Sequence, residues 1–103
     1  MIPCLQKFRT YALALEFYCD CKQLRVTPVL RSQLMRAASS IVLNLAEGSA
    51  KPTAKERARF YSIAFASFRE CQAILSLESH RELLLKHDPL GGCLYKLSRS
   101  SSS

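Results

Sequence analysis

Ser40, Asn44 and Glu47 recur at i, i+4 and i+7, so a helix would carry all three on one face. Ser67 and Glu70 stand in a similar relation further along the chain. Two carboxylates, Glu47 and Glu70, could share general acid–base work if they converged on a pocket. The alternative is structural: a partly buried polar network that sets the register of adjacent antiparallel helices. No nucleophile–base pair, glycine-rich phosphate loop or metal set accompanies these residues. We therefore read them as a network and expect neither enzymatic activity nor a cofactor. Cys19-x-Cys21 invites a metal reading, but a tetrahedral site needs four suitably spaced ligands. His80 and His87 lie far along the chain, so no metal is expected.

The second kind of chemistry is electrostatic. Lys and Arg number 15 against 8 Asp and Glu, a formal net charge of +7. Residues 22–59 hold Lys22, Arg25, Arg31, Arg36, Lys51, Lys55, Arg57 and Arg59 against Glu47 and Glu56, a net +6. Arg25, Arg31, Arg36, Lys51, Lys55, Arg57 and Arg59 are the candidate contacts to a phosphate backbone. They cannot form one cluster in a single chain, because a helix between Arg25 and Lys51 separates them by roughly 30 Å. Repeated around an oligomer they would make a large positive surface suited to RNA or DNA. The plainer reading is a solvated cationic surface that keeps the chain soluble. We find no basic–aromatic stacking motif of the kind single-strand binders use and no helix-turn-helix signature. Binding would then be backbone-directed and salt-sensitive. Tyr61, Phe65 and Phe68 could stack on bases, but at i, i+4 and i+7 they read better as a core or intersubunit stripe, and they are the candidate oligomer interface.

The elements that must carry these residues are helical. With 103 residues, 49% of them hydrophobic, and only 3 Gly and 4 Pro, the composition excludes disorder and argues against a turn-rich β fold. One domain is expected. Apolar residues at Leu5, Phe8, Ala12, Leu15 and Cys19 predict an amphipathic helix over about 4–24, buried along that stripe. Thr27-Pro28 predicts a capped start for a second helix over 28–47, with Leu30, Leu34, Ala37, Ala38, Ile41 and Leu45 inward. Gly48 is expected to end it in a left-handed conformation. Thr53-x-x-Glu56 is a capping box for a third helix over 53–78. That helix is apolar around more than half its circumference and needs partners on two sides; in so short a chain the second is expected to be another subunit. Leu83 to Leu97 predict a fourth helix over 81–99, kinked or split near Pro89, where Asp88 could cap a fresh start. Residues 100–103 are expected to fray. The fold class is all-α, an antiparallel up-down four-helix bundle. No stretch approaches a membrane span, the start Met1-Ile2-Pro3-Cys4-Leu5 lacks a secretory pattern, and five cysteines in mostly apolar settings suggest a reducing, cytoplasmic location.

The run from Leu30 to Gly48, Leu-Arg-Ser-Gln-Leu-Met-Arg-Ala-Ala-Ser-Ser-Ile-Val-Leu-Asn-Leu-Ala-Glu-Gly, resembles the signature of four-helix-bundle proteins encoded in intervening sequences of bacterial large-subunit ribosomal RNA genes. Arg59-Phe60-Tyr61-Ser62-Ile63-Ala64, with Ser67 and Arg69-Glu70, resembles the third helix of the same family. The resemblance implies a bundle that assembles as a ring, typically a homopentamer, without known enzymatic activity, and it places Asn44, Glu47, Gly48 and Glu70 at positions the family keeps. The accessory proteins of diversity-generating retroelements are similar in fold and assembly; they bind nucleic acid and a reverse transcriptase. By that resemblance the chain is expected to be a homo-oligomeric, nucleic-acid-binding accessory subunit. A scaffold for a reverse transcriptase, or a purely structural oligomer, is the alternative.

Overall fold

The computed structural model describes residues 3–99, with side chains from Lys7 onward. All regular structure among them is helical: α1 (Pro3–Lys22), α2 (Pro28–Ser49), α3 (Ala54–Leu77), α4 (Arg81–Lys86) and α5 (Asp88–Arg99). α1 packs against α2 and α5, and α3 packs against α2, α4 and α5. The expectations for residues 100–103 and for the Leu5 side chain lie outside what is described.

α2 follows its sequence pattern closely. Leu34, Ala37, Ala38, Ile41 and Leu45 are buried and Leu30 is half-buried. Pro28 occupies the first turn, where its missing N–H costs nothing. The Thr27 hydroxyl makes no cap; instead the Thr27 backbone N–H donates to Glu78 Oε1 at 3.0 Å, tying the start of α2 to the end of α3. Gly48 does not end the helix. It stays helical, and a Cβ there would lie 2.9 Å from both Phe60 Cβ and Tyr61 Cε1. Its role is close approach of α2 to α3, which is steric and leaves no turn signature.

α3 begins at the expected capping box. The Glu56 N–H donates to Thr53 Oγ1 at 3.1 Å, while the Thr53 hydroxyl donates to Glu56 Oε1 at 2.9 Å, so the carboxylate meets the hydroxyl rather than a backbone N–H. The helix ends with Ser79 in the left-handed region at φ 62°. There Ser79 N–H donates to Ser76 O at 3.1 Å and His80 N–H to Leu75 O at 2.9 Å, closing the last turn. Tyr61, Ala64, Ser67, Phe68, Cys71, Ile74 and Leu75 are buried. The second partner that this broad face requires is the chain's own α5. Gly91 makes that contact possible: a Cβ there would stand 2.8 Å from Phe68 Cε2.

The fourth helical segment is split, as Pro89 predicts, with the break at His87 between α4 and α5. α1 reverses its expected face. Thr10, Ala14, Phe17 and Cys21 are buried, whereas Phe8 is 71% and Leu15 40% exposed, and Ala12 and Cys19 stay off the core as well. The two sets are offset by two residues, about 200° around a helix, so both follow the same step pattern on opposite faces. Small residues at 10 and 14 let the neighbouring helices approach, and Phe17 inserts edge-on to Phe68 at 5.4 Å between ring centres. The more apolar stripe is left outside.

Candidate nucleic-acid interface

The turn over residues 50–53 sets one end of the positive region. Its shape is held by Arg57, whose Nη1 donates to Lys51 O at 3.0 Å. Lys51 Nζ lies 3.2 Å from Glu47 Oε2 and 5.1 Å from the centre of the Phe60 ring. Both side chains are therefore partly committed to the turn. Lys55 and Arg59, one turn apart on the outer face of α3, are exposed and have no ion-pair partner among the described residues.

The remaining candidates divide. Arg31 serves the structure of the chain, because Nη1 donates to Leu24 O at 2.8 Å in the link after α1 and Nη2 to Lys22 O, a carbonyl that α1 leaves open at its end. Arg36 pairs with Glu70 across α2 and α3. Arg25 is exposed beyond α1, at the far end of α2 from Lys51, and its carbonyl meets His80 Nε2 at 2.7 Å. The structure thus separates three accessible cations, Arg25, Lys55 and Arg59, from four that also hold the chain together.

The polar constellation is divided in the same way. Ser40 Oγ and Ser67 Oγ are 2.8 Å apart across the α2–α3 contact, and Asn44 Nδ2 donates to Ser40 O at 2.8 Å and Ser40 Oγ at 3.0 Å. Glu47 and Glu70 take no part. They face separate partners, Lys51 and Arg36, and do not converge on a pocket. The arrangement can fix register between α2 and α3; it has no acid–base pair.

A family model described as 23S rRNA-intervening sequence protein matches residues 6–90. The chain belongs to this family. No curated protein and no solved structure matches it. The family match runs from α1 into the first turn of α5 and includes every candidate cation.

Within this family member, two of the three proposed interface aromatics are already used. Tyr61 and Phe68 are buried inside the chain, and only Phe65 keeps exposed surface. The cause is packing within the chain: Phe68 lies against Gly91 of α5 and Phe17 of α1, and Tyr61 against Gly48 of α2. Burial also pushes the Tyr61 phenol above its ordinary range, and its hydroxyl has no hydrogen-bond partner among the described residues.

Sequence reasoning missed one cluster. Asp20 Oδ2 accepts from Lys86 Nζ at 2.8 Å and lies 2.7 Å from His87 Nε2, while Lys86 also lies 3.5 Å from Glu16. Lys86, then His87, hold the Asp20 carboxyl below the usual carboxylate range; Asp20 in turn raises Lys86. His87 is buried, its ring edge-on to Phe17 at 4.9 Å. The cluster fastens the break between α4 and α5 to α1, from residues more than sixty positions apart, so spacing gave no sign of it.

Among the described residues, no group of three or more His, Cys, Asp or Glu could hold a metal ion, and no helix is long and apolar enough to cross a membrane. Cys21 and Cys71 are buried; burial lifts the Cys21 thiol to about 12 and raises Cys71 as well, so neither forms a reactive thiolate at neutral pH.

Proposed function

We propose that this chain is a non-catalytic, homo-oligomeric accessory protein that binds the phosphate backbone of RNA or DNA in the cytoplasm. The observation that carries the reading is the exposed pair Lys55 and Arg59, beside a turn held by Lys51 and Arg57. Neither Lys55 nor Arg59 has an ion-pair partner among the described residues. Cations that neutralise phosphates release condensed counterions, which gives affinity without sequence preference. The divergence of Glu47 and Glu70 supports the absence of catalysis at these residues.

We read the helices as an antiparallel up-down four-helix bundle, with α4 and α5 together forming its broken fourth arm. The links of three to five residues between α1, α2, α3 and α4 favour reversal at each step. The oligomer interface moves from Tyr61 and Phe68 to the outer stripe of α1. Phe8 and Leu15 on α1 and Leu43 on α2 leave apolar surface exposed. A groove of about 200 Å³ lies between α1 and α2, lined by Leu15, Tyr18, Ser39, Val42 and Leu43. A second copy of the chain is its occupant, and repetition would close a ring, of five by the resemblance. The same apolar face favours a second reading, a scaffold that recruits a protein such as a reverse transcriptase.

The test is binding of labelled RNA and DNA from low to high salt. Wild type should bind at low salt and weaken steeply as salt rises. Lys55→Glu with Arg59→Glu should leave helicity intact, weaken all sequences alike and reduce the salt slope by about 2. Arg57 stays in place because it holds the turn. Absence of binding at low salt, or binding indifferent to salt, overturns the electrostatic reading. Phe8→Ser with Leu43→Ser should lower the native mass; an unchanged assembly overturns the proposed interface.

A further inference from the structure

The outer side of the α3–α5 contact carries an alternating line of cations and rings. The Arg69 guanidinium lies 5.9 Å from the Phe65 ring centre. Phe65 meets Tyr95 edge-on at 5.7 Å, and the Arg99 guanidinium sits 5.1 Å from the Tyr95 ring centre. Arg69 and Arg99 are exposed, Tyr95 is 47% exposed, and Phe65 is half-buried. Two residues come from α3 and two from α5, with about thirty positions between them. The basic–aromatic motif that no stretch of sequence shows is thus assembled by packing.

Beside this line runs a groove of about 440 Å³, bordered by Phe65, Arg69, Gln72, Gly92 and Tyr95. That volume is within the range of small-ligand clefts. Gly92 leaves its floor open, since a Cβ there would meet nothing within 4 Å. Asp88 is the carboxylate on the lining and stands seven residues before Tyr95, about 10 Å along the helix. It can accept from the exocyclic amine of a base while leaving the ring end positive. Arg69 also lies within an arc of about 80° on α3 with Lys55 and Arg59, and about 21 Å from Lys55 along the axis. The groove therefore continues the cationic strip of the proposed backbone contact.

We propose that the α3–α5 groove is a base-stacking site for single-stranded nucleic acid, with Tyr95 and Phe65 as the stacking faces and Arg69 and Arg99 as flanking cations. It rests on the nucleic-acid reading above and adds a preference for unpaired strands, whose bases can leave the stack and lie against a ring. A duplex hides those faces and can use only Lys55, Arg59 and their neighbours. Arginine over an aromatic ring supplies both the positive field for phosphate and a planar surface for a base.

The test compares a fluorescein-labelled twelve-nucleotide oligo-dT with a duplex of equal length, and follows stacking with one 2-aminopurine in the single strand. Wild type should bind the single strand more tightly and quench the 2-aminopurine. Tyr95→Ala should weaken single-strand binding by about 5- to 100-fold and abolish quenching while leaving duplex binding unchanged. Tyr95→Phe should restore both. Arg69→Ala, which leaves both rings in place, should weaken the single strand several-fold more than the duplex. Equal affinity for the two ligands, with Tyr95→Ala indifferent, overturns the stacking site and leaves the backbone reading standing. Failure of both ligands to bind at low salt overturns the two together.

Discussion

α3 and α1 are amphipathic helices of similar length that meet opposite fates. α3 is apolar around most of its circumference, yet the chain covers it from two sides, with α2 reaching it at Gly48 and α5 at Gly91. α1 has two apolar stripes of equal spacing and buries the smaller one. Thr10, Ala14, Phe17 and Cys21 go inward while Phe8 and Leu15 remain outside. The difference teaches that hydrophobic periodicity identifies a helix but does not choose its face when both sides repeat. The choice falls to shape: small side chains allow close approach, and one ring fills the space that remains.

The sharpest way to break this comparison is to truncate one side chain on each face of α1. Phe17→Ala should cost about 3–5 kcal/mol in urea unfolding, because a fully buried ring leaves a cavity that the helices only partly close. Leu15→Ala should cost less than about 1 kcal/mol and lower the native mass instead. Equal losses would mean that the outer stripe is buried as deeply as the inner one.

Next in size is the fastening of α1 to the α4–α5 break. Asp20→Asn should cost about 1–3 kcal/mol at neutral pH, since it removes the negative charge from beside Lys86 and leaves only a neutral amide against the buried His87 ring. Because Lys86 and His87 lower the native Asp20 value, the contribution is full above the unfolded value of about 3.9 and is lost as pH falls through the native one. Wild-type stability should therefore drop below about pH 4 more steeply than that of the variant. Parallel pH profiles would show that the cluster contributes nothing to holding α1.

The smallest effect is expected at the end of α3. Ser79 holds a left-handed conformation that costs a residue with a Cβ about 1–2 kcal/mol. Ser79→Gly should raise stability by up to about 1 kcal/mol, read as a higher urea midpoint, because glycine relieves that strain but loses more entropy on folding. A fall in stability would mean that the serine side chain contributes there.

Much of the helical content was legible in the chain. Thr53 and Glu56 mark the start of α3, Pro28 the start of α2, and Pro89 the break in the last segment, because these signals act over three or four residues. Gly48 was legible as special but not for the right reason. A turn glycine and a contact glycine look alike in sequence, and only the Phe60 and Tyr61 atoms beside it separate them. Half of the candidate site could be read as well. The Ser40–Asn44 pair follows from helical spacing, whereas the reach of Ser40 to Ser67, the diversion of Arg31 to the end of α1 and that of Arg36 to Glu70 depend on which helix ends and faces meet.

The sequence by itself determined that the chain is helical, where α2 and α3 begin, that positive charge concentrates over residues 22–59, and to which family the chain belongs. These are local or compositional properties, carried by capping groups, periodic side chains and uninterrupted motifs. Tertiary structure alone decided which face of α1 turns inward, that the chain's own α5 packs on α3, which candidate cations are drawn into holding the chain together, and that Arg69, Phe65, Tyr95 and Arg99 stand in one line. Each of those outcomes depends on distances between residues remote in sequence, and such distances are set only when the helices pack.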